Sequence, residues 1–238
     1  MFPRLAAFAC LLFFAAAAAF AADVPLQPFH ADYQVLRNGK ELGHATLALQ
    51  PIGAGTWEFS NQTQGTKGMA SMLGLDVVEK STFRWRDGLP EGLHYSYAQQ
   101  SAIKSRQRST DFDWNSRQAH SRDGKHDYIA PLRSGAIDRN LVTVALMSAL
   151  KSGTRNLDFR VADKDQLSDQ HYAVSGREIL ALPAGKIEAV RVNRQRENSQ
   201  RTTTSWFAPQ RGFLPVQIEQ VEKNGETITL QLVELKSR

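Results

Sequence analysis

Cysteine is almost absent from this sequence, since the one cysteine among its 238 residues is Cys10, in an apolar stretch near the start. We predict below that this stretch is removed, which leaves a mature chain that cannot form a disulfide. Small secreted scaffolds that depend on disulfides are therefore excluded. The chain is long enough to bury a sizeable core without them. We expect a single β-rich domain over residues 22–238.

Long hydrophobic runs are missing after residue 21. Residues 1–21 combine Arg4, a short apolar run and small residues around Ala21, which is typical of a secretory signal segment cleaved near Ala21. No later stretch approaches the roughly 20 apolar residues that a membrane-spanning helix needs. We therefore predict no transmembrane segment in the mature chain. Export without cysteine favours the periplasm of a Gram-negative bacterium.

Strong charge of either sign is also missing. The formal net charge is +5, and removal of Arg4 with the signal segment lowers it by one. A mild positive excess is compatible with contact to anionic lipid head groups but is too weak to predict a nucleic-acid partner.

Catalytic signatures are absent as well. The sequence contains no Gly-x-Ser-x-Gly elbow, no His-Glu-x-x-His helix, no phosphate-binding loop and no dinucleotide fingerprint. We predict that the protein is not an enzyme, with no catalytic residues and no cofactor. His120 and His126 flank a predicted turn at Asp123 and Gly124, which puts their imidazoles on opposite faces of a hairpin. No metal site is predicted from them.

What the sequence does contain is strand after strand, separated by turn residues such as Asn38 and Gly39. Residues 138–152 differ, because their apolar side chains have helical spacing, with Asp138 placed to cap the helix and Gly153 to end it. A flat sheet of ten or more strands would leave long exposed edges. The predicted fold is therefore mainly β, a large curved antiparallel sheet or incomplete β-barrel wrapped around one long central helix, about 138–152.

Two apolar features are candidates for contact with a ligand. One is a glycine-flanked segment whose flexible methionines suit a helical turn or flap over a cavity. The other is the apolar face of the predicted helix. The candidate ligand-lining residues are Met69, Met72, Leu73, Leu141, Val142, Leu146 and Leu150.

Basic side chains form two clusters. Lys104, Arg106 and Arg108 alternate along one predicted strand and share a face, so they are candidates for contact with an anion or a partner. An ordinary solvated face with edge-protecting charges is the alternative. Arg194, Arg196 and Arg201 form a second cluster near a predicted hairpin end, with the same two interpretations.

Four segments of the chain resemble a known family. They are YQVLRNGKELGHATLAL, DRNLVTVALMSAL, GREILALPAGKIEAVRV and WFAPQRGFLPVQIEQVEKNGETITLQLVEL, in this order. Together they resemble the bacterial exported family called domain of unknown function 3108, which implies a location and a fold but no activity. The segment FLPVQIE is more loosely similar to periplasmic lipoprotein carriers of the LolA and LolB kind, which implies an open curved sheet with a cavity for acyl chains.

Two functions follow as hypotheses. In the first, the protein is a non-enzymatic periplasmic envelope protein that binds or carries a lipid or other amphiphile in the concavity between sheet and helix. In the second, it is a structural or interaction protein of the envelope, with a solid core and a basic face or strand edge that contacts a protein partner.

Overall fold

The computed structural model describes residues 25–197 and 199–236. Fifteen strands in this part of the chain form one sheet, in which every neighbouring pair is antiparallel except the last. The fold is mainly β, as predicted. The predicted signal segment, residues 1–21, lies outside the described residues.

The first half of the chain is a meander of eight strands. Each strand pairs with the next, and the turn between the first two is formed by Asn38 and Gly39, with φ of 50° and 74°, as predicted. A short helix, α1 (Gly68–Met72), interrupts the connection after the third strand. The strands are β1 (Phe29–Arg37), β2 (Lys40–Gly53), β3 (Thr56–Gly65), β4 (Asp76–Arg86), β5 (Leu89–Gln100), β6 (Ser105–Asp113), β7 (Gln118–Asp123) and β8 (His126–Pro131).

The second half is a meander of seven strands and one helix, α2 (Val142–Ser152), with a short 3₁₀ turn at Pro209–Arg211. Its last strand pairs with β1, which joins the two meanders into one sheet. This half comprises β9 (Ala136–Ile137), β10 (Leu157–Asp163), β11 (Gln166–Leu182), β12 (Gly185–Gln195), β13 (Thr202–Ala208), β14 (Leu214–Val221) and β15 (Thr227–Lys236).

The two ends of the sheet overlap instead of joining edge to edge. Ile137 and Val161 belong to the main core, whereas their neighbours Ala136 and Ala162 belong to a second apolar cluster with Phe112 of β6. Because successive strand residues point to opposite faces, β9 and β10 are covered on both sides. The sheet is therefore a spiral, barrel-like but without a closing ladder of hydrogen bonds in the described part of the chain.

Helix α2 fills one half of the interior of this spiral. It is shorter than predicted, because it begins at Val142 and not at Asp138. The Asp138 Oδ1 atom accepts hydrogen bonds from the backbone N–H groups of Asn140 (2.9 Å) and Leu141 (3.0 Å), so Asp138 caps a turn that precedes the helix. The prediction of one long central helix over about 138–152 is therefore wrong, since α2 has only eleven residues. Gly153 ends it in the left-handed conformation, as predicted.

The two ends of the interior are occupied by different elements. The Ser148 hydroxyl donates to the Gly88 carbonyl oxygen at 2.5 Å, so α2 lies towards the end that carries the β4–β5 turn. Since successive turns of an antiparallel meander alternate between ends, α1 and the β1–β2 and β5–β6 turns lie at the opposite end. We call this opposite end the mouth. The predicted site residues divide between these two ends.

Candidate ligand-binding site

The helix residues predicted to line a ligand cavity are packed in the core. Leu141, Val142 and Leu146 are buried members of the main apolar cluster, and Leu150 is half-buried against it. None of the four lines either of the two large cavities described below. The space between helix and sheet is occupied here by side chains of the protein.

Helix α1 is held on the mouth by its neighbours. The backbone N–H groups of Thr66 and Lys67 both donate to the Leu42 carbonyl oxygen at 3.1 Å, and Leu75 N–H donates to the Ala70 oxygen at 3.0 Å. Gly65 is in contact with Ala70, and a Cβ atom at Gly65 would lie 2.6 Å from the Ala70 Cβ atom. The helical turn predicted here is confirmed, and its position depends on a glycine without a side chain.

A cavity of about 580 Å³ lies between α1, the β1–β2 turn and the β5–β6 loop. Its apolar lining comes from Leu42, Met69, Leu73, Leu75 and Ile103. Two of these are unusually exposed, Met69 at 75% and Ile103 at 79%. Met69 and Leu73 were predicted to line a ligand site, whereas Ile103 was not.

Met72 differs from the other predicted residues of α1. It is 84% exposed, yet it does not line the cavity. An exposed methionine on the same helix is therefore available as a matched control for Met69.

Cations surround this apolar cavity. Arg37, Lys40, Lys67 and Lys104 contribute to its wall, against the single carboxylate of Glu41. Arg37 is paired with Glu226 at 2.6 Å. Within the described residues the three lysines make no ion pair, so their charge is available to a ligand.

Only one member of the predicted strand cluster 104–108 is at this cavity. Lys104 is exposed in the β5–β6 loop, whereas Arg106 and Arg108 both bind Asp123, at 2.7 and 3.1 Å. The bond from Arg106 and the charges of both arginines hold the pKa of Asp123 well below its usual range, against the effect of burial. The Arg108 side chain is only 17% exposed. The two arginines therefore do not form an outward basic face.

A second, polar cavity of about 740 Å³ also opens at the mouth. Its lining includes three carboxylates, from Glu79, Asp163 and Asp165. Six cations outnumber them, namely Arg108, Arg139, Lys164, Arg194, Arg196 and Arg201. The structure thus brings Arg108 and the second basic cluster, which are remote in sequence, to one chamber. We call it the arginine chamber.

Arg139 links the arginine chamber to the apolar cavity. Its guanidinium pairs with Glu79 and lies over the ring of Tyr97, 5.1 Å from the ring centre. The Tyr97 hydroxyl donates to Gln99 at 2.9 Å, and Gln99 lines the apolar cavity. Sequence patterns missed Arg139, although it is the one charged residue between Asp138 and the apolar helix.

The hairpin of β7 and β8 carries the two histidines that were considered for a metal. Its turn is at Gly124 and Lys125, one residue later than predicted, because Asp123 pairs with His126. His120 pairs with Ile129, so the imidazoles still attach to opposite faces of the ribbon. Within the described residues there is no group of three side chains that could hold a metal ion.

Neither helix of the described chain has the length and hydropathy to cross a bilayer.

Comparisons with known proteins support the fold more than any activity. A family model described as "Protein of unknown function (DUF3108)" matches residues 29–233. No curated protein matches the chain. A solved structure from Brucella abortus, described as a beta-barrel-like protein of domain of unknown function DUF1849, is similar with a TM-score of 0.51 and 10% identity. The match covers 90% of this chain and 98% of that one, and at this identity it shows a common fold alone.

Proposed function

Because the chain belongs to the DUF3108 family, as its four segments predicted, and that family's description assigns no function, we propose one from the geometry of this chain. The protein is a non-enzymatic binding protein of the bacterial envelope. It holds an amphiphile with an anionic head group in the apolar cavity beside α1. Its location in the periplasm is part of the proposal, and rests on the signal-like residues 1–21.

The size and lining of the cavity support an apolar ligand. A volume of about 580 Å³ is within the range of roughly 300–1,000 Å³ that is typical of small-molecule sites. Each methylene group that leaves water contributes about 0.8 kcal/mol, so a short length of acyl chain is enough for useful affinity. The single observation that carries the proposal is this cavity, with Met69 and Ile103 exposed at its edge.

The charges around the cavity support an anionic head group. Lys40, Lys67 and Lys104 make no ion pair within the described chain, and Glu41 is the only acidic residue of the wall. A negative head group at the edge would therefore be attracted while its chain lies on the apolar lining. Part of this attraction is screened at physiological ionic strength.

In this proposal the ligand lies beside α1, and not against α2 as the helix pattern indicated. Leu141, Val142 and Leu146 pack in the core and do not contact the ligand in this proposal. The looser similarity to lipoprotein carriers stays a prediction.

Binding of a dansyl-labelled fatty acid to the purified mature protein tests the proposal by fluorescence titration. Met69→Asp removes apolar contact and adds a charge that repels the carboxylate, and burial of a methionine is worth about 1.5–3 kcal/mol. We expect affinity to fall about ten-fold or more, since 1.4 kcal/mol is a factor of ten.

Met72→Asp is the matched control, because it adds the same charge to the same helix outside the cavity lining. It should change affinity only slightly. Equal losses from the two variants, or no binding by the unaltered protein, would refute the proposed function.

A further inference from the structure

The arginine chamber has a wall of guanidinium groups from one hairpin. Arg194 is on β12, Arg196 follows its end, and Arg201 precedes β13. Every second residue of a strand points to the same face, so residues 192, 194 and 196 share one face. Val192 on this face is in the main core. The arginines are therefore directed to the interior of the spiral, at the mouth, and they line its polar cavity.

The positive charge of this wall is only partly neutralised by carboxylates of the described chain. Arg201 is paired with Glu222 at 3.0 Å. Arg196 donates only to the Arg201 carbonyl oxygen (3.3 Å) and the Thr203 hydroxyl (3.1 Å), which are neutral acceptors. In the described part of the chain, neither Arg194 nor Arg196 has a carboxylate within ion-pair distance.

The neighbouring arginines also repel each other. Burial, together with the charges of Arg194 and Arg201, lowers the pKa of Arg196. Close like charges in a partly buried site destabilise the folded chain, and an anion between them would remove that cost.

The opposite wall differs because its cations already have partners. Arg108 and Lys164 bind Asp123 at 3.1 and 3.5 Å, and Arg139 pairs with Glu79. The remaining carboxylates, Asp163 and Asp165, lie at the β10–β11 turn and make no ion pair with Arg194 or Arg196. The unpaired charge of the chamber is thus concentrated on these two arginines.

We propose that the arginine chamber binds a phosphate group, held by the guanidinium groups of Arg194 and Arg196. A guanidinium presents a fork of N–H donors that matches the oxygen atoms of a phosphate, and such charge-assisted bonds are among the strongest in proteins. The phosphate belongs either to a small soluble molecule or to the head group of a lipid. This inference does not rest on the proposed function, because different residues line the two cavities.

Two probes test the inference and separate the two sources of phosphate. Inorganic pyrophosphate is titrated into the mature protein by calorimetry, and vesicles of phosphatidic acid in phosphatidylcholine are tested by co-sedimentation against vesicles of phosphatidylcholine alone. The variant is Arg194→Gln with Arg196→Gln. The variant removes the charged donors of both guanidinium groups, so we expect binding to weaken about ten-fold or more.

Arg191→Gln is the control, since Arg191 is on the same strand but outside the chamber, where it donates to the Ser175 hydroxyl at 2.9 Å. It should leave binding unchanged. Circular dichroism verifies that each variant is folded, and Arg194→Gln alone replaces the double variant if that one is not.

Each outcome decides the question. Loss of pyrophosphate binding in the variant supports a soluble phosphate ligand, and loss of binding to phosphatidic acid vesicles alone supports a lipid head group. No binding of either probe by the unaltered protein, unchanged binding of both probes by the arginine variant, or an equal loss with Arg191→Gln overturns the inference. Met69→Asp should leave pyrophosphate binding intact, so failure of the proposed function and failure of this inference are distinguishable.

Discussion

The buried carboxyl group of Asp138 leads to the most specific prediction about stability. Asp138 is 1% exposed, and its Oδ1 atom accepts three hydrogen bonds, including one from the Ser81 hydroxyl at 2.8 Å. Its Oδ2 atom has no partner among the described residues. Burial, with a smaller contribution from the charge of Glu79, raises the pKa of Asp138 to about 7. We predict that Asp138→Asn removes a pH dependence of stability.

The direction follows from proton binding in the two states. In the unfolded chain an aspartate has a pKa of about 3.9, so between about pH 4 and pH 7 the native state holds a proton that the unfolded state has lost. Proton binding by Asp138 therefore contributes fully to the free energy of unfolding below about pH 4, and this contribution is lost as the pH rises to about 7. The difference between a pKa of about 4 in the unfolded chain and about 7 in the folded chain corresponds to about 4 kcal/mol in total.

Urea unfolding of both proteins at about pH 5 and about pH 8 measures the effect, which should be about 2–3 kcal/mol between these two values. Asparagine keeps the Oδ1 acceptor and cannot ionise. The free energy of unfolding of Asp138→Asn should therefore rise by this amount, relative to that of the unaltered protein, between the lower and the higher pH. Asp87→Asn, at an exposed turn, controls for the loss of one acidic group. The reasoning is refuted if the difference between Asp138→Asn and the unaltered protein is the same at both pH values.

Two further predictions concern the packing of the helices. Leu146→Ala should lower the free energy of unfolding by about 2–5 kcal/mol, because it leaves a cavity in the core. The loss should be larger than that from Leu150→Ala, at the half-buried position. A change under about 1 kcal/mol in urea unfolding would show that Leu146 does not contact the sheet. Gly65→Ala should displace α1, since the new Cβ atom would meet Ala70, and faster amide hydrogen exchange over residues 66–75 is expected. Unchanged exchange there would contradict the contact.

Local signals in the sequence predicted much of the fold. The Asn38 and Gly39 pair specified a hairpin because both positions need positive φ, and Gly153 specified a helix end for the same reason. The start of the helix was wrong by four residues, because Asp138 has a cap geometry that fits a preceding turn as well as a helix. The same carboxyl group accepts a buried hydrogen bond from Ser81, a contact remote in sequence that no local pattern encodes.

The candidate site was predicted only in part. The methionine segment was recognised, but its helical spacing alone does not tell Met69, which lines the cavity, from Met72, which does not. Ile103 was missed, since a single apolar residue in a loop is an ordinary surface feature. The two basic clusters were recognised, but an ordinary solvated face was the alternative interpretation of each.

By itself, the sequence determined that most of the chain forms strands, where several of the turns lie, and that one apolar helix ends at Gly153. These features depend on periodicity and turn chemistry, which act over a few residues. The tertiary structure decided what those side chains contact. Pairing of β1 with β15 and overlap of the sheet ends fill the space around Leu146 with protein. The same long-range pairings bring Arg108 and Arg194 to one chamber, a juxtaposition that no local pattern encodes.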